Sequence, residues 1–405
     1  MIAALDVSGS MSGAKLEGVK QSLISTLKAY SKAKADAIFG MVTFETALRI
    51  YSADGEIIEQ LSGDILYDIK KLEEKIAQNS WIKNHLPKMT IKTTSNAWQQ
   101  TISKMVSMGS TALGPAVIAA RIMSLASGTG RILLLTDGMA NQGVGSLSGA
   151  SPQGKKFYEN IAMEMKNNGI VLDIVGIQGQ GSLELKTLAL MPEITGGDLF
   201  YADLSELQES FSAIAGDQIL GRNARIKVIA PEGIAFSNIS GVGALLSEMK
   251  KGEEITLGGL TKSRSIAFEF SPQKKMKDER IPIQVQIRYR DENDNERIRV
   301  IEQELEVTEN KEELEKNIDA DLIAGYTVQR AAQVMQKDRK KSKKMMMEMR
   351  KTLSRTAPEK ISAQKYLDEE IEDLENLIEN EKRGKPSAQD AIQAASYRMV
   401  RKRKK

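Results

Sequence analysis

The sequence predicts an α/β fold: a doubly wound, mainly parallel sheet, followed by a small antiparallel β-sandwich and a C-terminal helical segment. Three observations point there. Up to about residue 216, short apolar runs alternate with helical periodicity, the pattern of strands covered on both faces by helices. From Arg225 to Val307, six short segments alternate apolar and polar residues with no helix between them. From Lys311 onward the apolar period returns to three and four. A chain of 405 residues exceeds one ordinary core. The expected division is therefore 1–216, with a helical insertion at about 53–108, then 221–309 and 311–405.

In chain order, Ile2–Leu5 is a buried strand ending on Asp6, and Leu16, Val19, Leu23, Leu27 and Tyr30 stripe the first helix. Ala37–Thr43 and the more polar Thr46–Ser52 form a close pair of strands. Ile58, Leu61, Ile65, Ile69, Leu72 and Ile76 predict a helix within the insertion. Both tryptophans, Trp81 and Trp98, and the single histidine, His85, fall in that stretch. The tryptophans read as the insertion's own small core, and His85 as an ordinary polar residue. A tight Gly109–Pro115 loop leads into a helix over 116–127, and Arg131–Thr136 is a buried strand ending on Asp137-Gly138. A helix over 155–168, a strand over 170–176, a helix near 183–190, a strand at 199–202 and a helix to about 215 complete the alternation. Asp291–Asn295 reads as a polar hairpin tip in the β region. Leu314 to Met335 and Leu367 to Ile378 carry helical stripes, and Ser387 is placed as the N-cap of a last helix. Three helices with breaks near Pro358 and Pro386 result, with self-association through them as one use of the stripes.

Composition narrows the function. Hydrophobic content of 41% and charged content of 27% describe a soluble globular chain. No apolar run reaches the length of a membrane span, and no secretory signal precedes the first strand. Zero cysteines exclude disulfides, thiolate metal sites and cysteine nucleophiles. A cytoplasmic setting is the economical expectation. The first strand has no run-in, however, and a lost leader would change that expectation. The +3 net charge is unevenly shared, with roughly +6 on residues 311–405 and roughly −3 before them. Basic runs at Arg339–Lys344 and Arg401–Lys405 suggest a weak, salt-dependent attachment to nucleic acid or an anionic membrane surface as an alternative function. Aromatic scarcity, at 5%, argues against a stacking surface for single strands.

The chemistry concentrates at strand ends. Asp6, Ser8 and Ser10 leave the first strand at alternate positions, Thr111 sits in the Gly-Ser-Thr loop, and Asp137 closes a later strand. In a doubly wound sheet these ends meet at the rim where ligands bind. Carboxylates, hydroxyls and water suit a hard divalent cation, and two buried carboxylates without one would repel. D-x-S-x-S, a later Thr in a glycine-containing loop, and T-D-G after an apolar strand resemble the von Willebrand factor type A domain, over roughly residues 1–216. The resemblance implies a metal-ion-dependent adhesion site at Asp6, Ser8, Ser10, Thr111 and Asp137. Ser8, Ser10 and Thr111 would ligate Mg2+ (or Mn2+) directly, and Asp6 and Asp137 would often act through water. It also implies an open coordination position for an Asp or Glu of a protein partner.

The order of regions also resembles inner-coat subunits of transport vesicles. Those carry a cysteine zinc site and generally a degraded metal site, so the match is expected to be looser. Secreted inhibitor heavy chains pair similar regions in an extracellular setting. Enzyme readings fail on particular residues. A nucleophile elbow needs Ser where Met11 stands, and the one histidine precedes Asp137. An aspartyl-phosphate mechanism needs a carboxylate where Ser8 stands. No Walker loop is present, and Gly176–Gly181 lacks dinucleotide spacing, so it reads as a turn. The expected function is non-enzymatic: a metal-dependent protein-binding module or scaffold, with docking on an ATPase motor as a further alternative.

Overall fold

The computed structural model describes residues 1–34, 36–52, 55–148, 151–179, 182–238, 254–273, 280–384 and 387–401. Pro386 and the basic tail 402–405 lie outside the described residues, as do Gln180 and Gly181 of the glycine-rich turn. The chain forms two compact units, Met1–Ile219 and Leu220–Lys405.

The N-terminal unit is built on seven strands: β1 (Ile2–Asp6), β2 (Gly40–Phe44), β3 (Leu48–Tyr51), β4 (Ile57–Leu61), β5 (Arg131–Thr136), β6 (Val171–Ile177) and β7 (Leu199–Ala202). Their order is β4-β3-β2-β1-β5-β6-β7. The pairs from β2 through β1, β5 and β6 to β7 are parallel, and β3 and β4 add an antiparallel edge. β1 and β5 are buried along their whole length, which explains their unbroken apolar runs. Strand order reverses between them, and their register sets Leu5 opposite Leu135. Asp6 and Asp137 therefore leave the sheet side by side.

Helices cover both faces of this sheet. On one face, α1 (Ala14–Ala33), α4 (Ile91–Ser103) and α9 (Leu207–Gly216) pack together. Leu16, Val19, Leu23 and Leu27 of α1 join Leu5, Leu133, Leu135 and Val175 of the strands in one core. The other face carries α5 (Leu113–Ser127), together with α2 (Ile69–Ala77), α3 (Ser80–Asn84), α6 (Pro152–Asn167), and the short α7 (Leu185–Leu188) and α8 (Leu190–Thr195). Gly114 lets α5 start hard against the chain that follows β5: a Cβ there would fall 1.9 Å from the Val144 carbonyl oxygen.

The stretch 53–108 differs from the predicted insertion in two ways. The helix expected from Ile58 to Ile76 is instead β4, a 3-10 turn over Gly63–Tyr67 and α2. Gly63, at φ +71°, and the Asp68 side chain, which accepts from the Lys71 N–H, punctuate what the apolar spacing alone joined. Trp98 is not part of a local core. It is fully buried in the main core and meets Phe39 edge-on, with ring centroids 5.3 Å apart.

Among its described residues the C-terminal unit contains six strands and five helices. β8 (Ile219–Ile229), β10 (Glu254–Thr261), β12 (Arg280–Arg290) and β13 (Glu296–Glu306) form one sheet in the order β10-β8-β12-β13. β9 (Ile234–Asn238) and β11 (Phe268–Pro272) form a second, antiparallel pair. Val228, Ile281 and Ile283 pack against Phe268 and Phe270 between them. The β12–β13 hairpin closes at the predicted tip, where the Asp291 carboxylate accepts from the N–H groups of Asn293 and Asn295.

The helices are α10 (Lys311–Lys316), α11 (Ala320–Met335), α12 (Arg339–Thr356), α13 (Ile361–Lys382) and α14 (Ala388–Arg401). The expected first helix is thus three, because Asp319 and Asp338 each cap a new start with their side chains. Asp319 accepts from the N–H groups of Asp321 and Leu322 at 3.1 and 3.0 Å. Asp319→Ala is expected to lower the stability of this unit by about 1 kcal/mol, read as a fall in melting temperature. Most of both stripes is buried within the chain: Val328, Ala332 and Met335 pack with Leu353, Leu367 and Leu374. Leu314, Leu322 and Ile361 stay exposed.

Candidate functional site

All five residues singled out from the sequence converge at the carboxyl end of the parallel strands. Asp6 ends β1, and its Oδ1 accepts the Ser8 N–H at 2.8 Å, which folds the chain back over the strand end. A 3-10 turn over Gly9–Met11 then carries Ser10 around, and Gly13, at φ +72°, admits the chain into α1. The loop bearing Thr111 is strapped onto this turn by backbone bonds. Met108 N–H donates to Val7 O at 2.8 Å, and Gly9 N–H donates to Gly109 O at 3.0 Å. From the other side, Asn141 Oδ1 accepts the Thr111 N–H at 2.9 Å, and the N–H groups of Asn141 and Gln142 donate to Thr111 O. These bonds join the β1, Thr111 and β5 loops into one rim.

Side-chain oxygens fill that rim. Ser8 Oγ and Ser10 Oγ are 3.0 Å apart, and Ser10 Oγ donates to Asp137 Oδ1 at 2.6 Å. Thr136 Oγ1 donates to Asp6 Oδ2 at 2.6 Å. A Cβ at Gly138 would stand 3.5 Å from both Ser10 Oγ and Thr111 Oγ1, so glycine leaves a small opening between two hydroxyls. Asp6, Ser8, Thr111 and Asp137 are buried, while Ser10 is exposed, which puts the solvent-facing side of the cluster at Ser10. Burial pushes the Asp6 carboxyl up to about 6; the Ser8 and Thr136 hydrogen bonds oppose the rise, and Asp137 adds to it.

Three contributors were not evident from the sequence. Thr136 orients Asp6, Asn141 holds the Thr111 backbone, and the Lys15 ammonium pairs with Asp137 Oδ2. Thr136 was visible in the T-D-G motif only as a strand end. Lys15 carries no sequence signal beyond its place near the start of the first helix.

The donor set is two carboxylates and three hydroxyls. Among the described residues, no group of three or more His, Cys, Asp or Glu side chains is placed to hold a metal. No hydroxyl here has a histidine base, since His85 is exposed at the C-terminal end of α3. Among the described residues, no helix is long and apolar enough to cross a membrane.

A parallel sheet with an antiparallel edge, helices on both faces and an oxygen-lined rim defines an α/β trunk of the von Willebrand type A kind. Residues 2–214 match the family model of the Sec23/Sec24 trunk domain, and the chain belongs to that family. The coat-subunit resemblance, expected to be the looser one for want of cysteine and because the metal motif is intact, is therefore a true family relation. The human COPII-coat protein Sec24c has a similar structure, with a TM-score of 0.65 at 16% identity over 99% of this chain and 57% of that one. A von Willebrand factor type A protein from Catenulispora acidiphila superposes with a TM-score of 0.54 at 13% identity, over 92% of this chain and 81% of that one. Among curated proteins, Circularly permutated Ras protein 1 of Dictyostelium discoideum is 24% identical over 344 residues. That match takes in 82% of this chain but only 39% of the relative.

Proposed function

We propose that this chain is a non-catalytic, cytoplasmic protein-binding module or scaffold whose rim holds Mg2+ or Mn2+ and through it an acidic side chain of a partner. The observation that carries the reading is the gathering of the Ser8 and Ser10 hydroxyls with Asp6 and Asp137 at one rim, with the Ser10 and Thr111 hydroxyls both 3.5 Å from where a Gly138 Cβ would stand. An all-oxygen set with few charges fits a small hard cation that retains water. When bound, the ion would supply a vacant coordination position and a positive charge for a partner Asp or Glu. The chain's own part is to hold the hydroxyls in place: Asp6 fixes the Ser8 backbone, Thr136 fixes Asp6, and Asn141 fixes Thr111. Membership of a coat-trunk family supports a scaffolding role, and the C-terminal unit supplies further surface. Self-association through the helices would have to use what the bundle leaves exposed, such as Leu322 and Ile361.

Mn2+ titration followed by electron paramagnetic resonance tests the reading. Asp137→Ala and Thr111→Ala are expected to weaken binding about tenfold or more, and capture of a partner is expected to fail in EDTA. Unchanged Mn2+ affinity in both variants would sink the proposal.

A further inference from the structure

Lys15 carries the next step. It lies in the first turn of α1, where the helix dipole disfavours a cation. Its ammonium is nonetheless directed to the rim, paired with Asp137 Oδ2 and 3.3 Å from the Ser10 carbonyl oxygen. The side chain is 23% exposed and that of Asp137 fully buried, so this pair is screened less than a surface one. Gly179, beyond the end of β6, makes room for it: a Cβ there would stand 3.1 Å from Lys15 Nζ. Three separate segments thus place one positive charge beside two of the five rim residues.

We infer that Lys15 is a tethered cation that competes with the metal ion for Asp137, so that metal affinity is set by how readily its ammonium leaves. The inference rests on the metal reading above. In the metal-free chain the ammonium offsets the Asp137 charge. A divalent ion brought to the same carboxylate repels the ammonium, and the two interactions weaken each other by the same factor. The rim therefore binds metal less tightly than its oxygens alone would allow, and anything that draws Lys15 away, a partner carboxylate included, tightens it.

The test is Mn2+ titration of the full chain as wild type, Lys15→Met and Gly179→Ala, with tryptophan fluorescence reporting folding. Lys15→Met is expected to tighten Mn2+ binding at least about fivefold, the lower end of ordinary coupling between sites. Gly179→Ala keeps the charge but crowds the ammonium, and is expected to shift affinity the same way by less. A merely structural ion pair would lower stability in Lys15→Met with no gain in affinity. Wild type and Lys15→Met binding Mn2+ equally would overturn the role of Lys15 and leave the metal site standing. Neither folded protein binding Mn2+ at millimolar concentration would overturn both.

Discussion

Asp173→Ala is expected to destabilise the N-terminal unit by about 3–5 kcal/mol, because it strands a buried guanidinium. Asp173 lies in the middle of β6, and its Oδ2 accepts from Arg131 Nε at 2.6 Å, while the Asp198 N–H donates to its Oδ1 at 2.8 Å. Burial raises the Asp173 carboxyl, and Arg131 beside it pulls the other way. Burial also works against the Arg131 charge, but Asp173 first, then Asp217 and Asp198, hold its proton more firmly than usual, and Arg131 Nη1 also donates to the Asp217 carbonyl oxygen. The short contact and the backbone donor on the second oxygen favour the ionised pair. Both tryptophans lie in this unit, so urea unfolding followed by tryptophan fluorescence reports it alone. The double variant Arg131→Met with Asp173→Leu is expected to recover much of the loss, since a buried pair replaced by apolar groups is often near neutral. A loss under 1 kcal/mol for Asp173→Ala would show the pair to be dispensable. β5 thus carries charge at both ends to different effect: Arg131 at its start secures the sheet, and Asp137 beyond its other end faces the rim.

What could be read in advance follows from where the information sits along the chain. That Asp6, Ser8, Ser10, Thr111 and Asp137 would meet at one edge was legible because each follows an apolar strand or opens a buried helix, and a parallel sheet brings such ends together. The six β strands described in the C-terminal unit were legible from their alternation, five of them to within three residues of their ends, whereas β8 begins six residues before the expected Arg225. The region 57–77 was misread because Ile58 to Ile76 satisfies a helical period on its own. Only a left-handed glycine and an aspartate cap divide it. Trp98 was assigned to a local core because its partner Phe39 lies far off in sequence, just before β2 and outside the stretch 53–108. Thr136 and Lys15 escaped for the same reason: their partners, Asp6 and Asp137, are more than a hundred residues away. The looser place given to coat subunits rested on missing cysteines and on a metal motif that those subunits generally carry in degraded form. Cysteines speak to a zinc site, whereas the matched trunk is built on the sheet.

In the absence of divalent metal, the N-terminal unit is expected to lose about 3 kcal/mol of stability as pH rises from roughly 4 to 7, through Asp6 alone. Its carboxyl is pushed from 3.8 to about 6 in the folded chain. Between those values the folded state keeps a proton that the unfolded state has already released, so acid favours folding and each step upward in pH weakens it. The contribution is fully present below the unfolded value and gone above the folded one, the reverse of an exposed, salt-bridged aspartate. Asp6→Asn isolates it. The amide can accept the Ser8 N–H and donate to Thr136 Oγ1, so the geometry survives while the titrating proton does not. Urea midpoints by tryptophan fluorescence at pH 4.5, 5.5, 6.5 and 7.5 in EDTA should fall more steeply for wild type than for Asp6→Asn. Saturating Mg2+ should flatten the wild-type curve, because a cation at the rim supplies the counter-charge that burial removed. Parallel curves for the two proteins would mean that Asp6 is ionised at no cost in the metal-free fold. The cation would then relieve no strain at Asp6, and its affinity would have to come from the hydroxyls and Asp137.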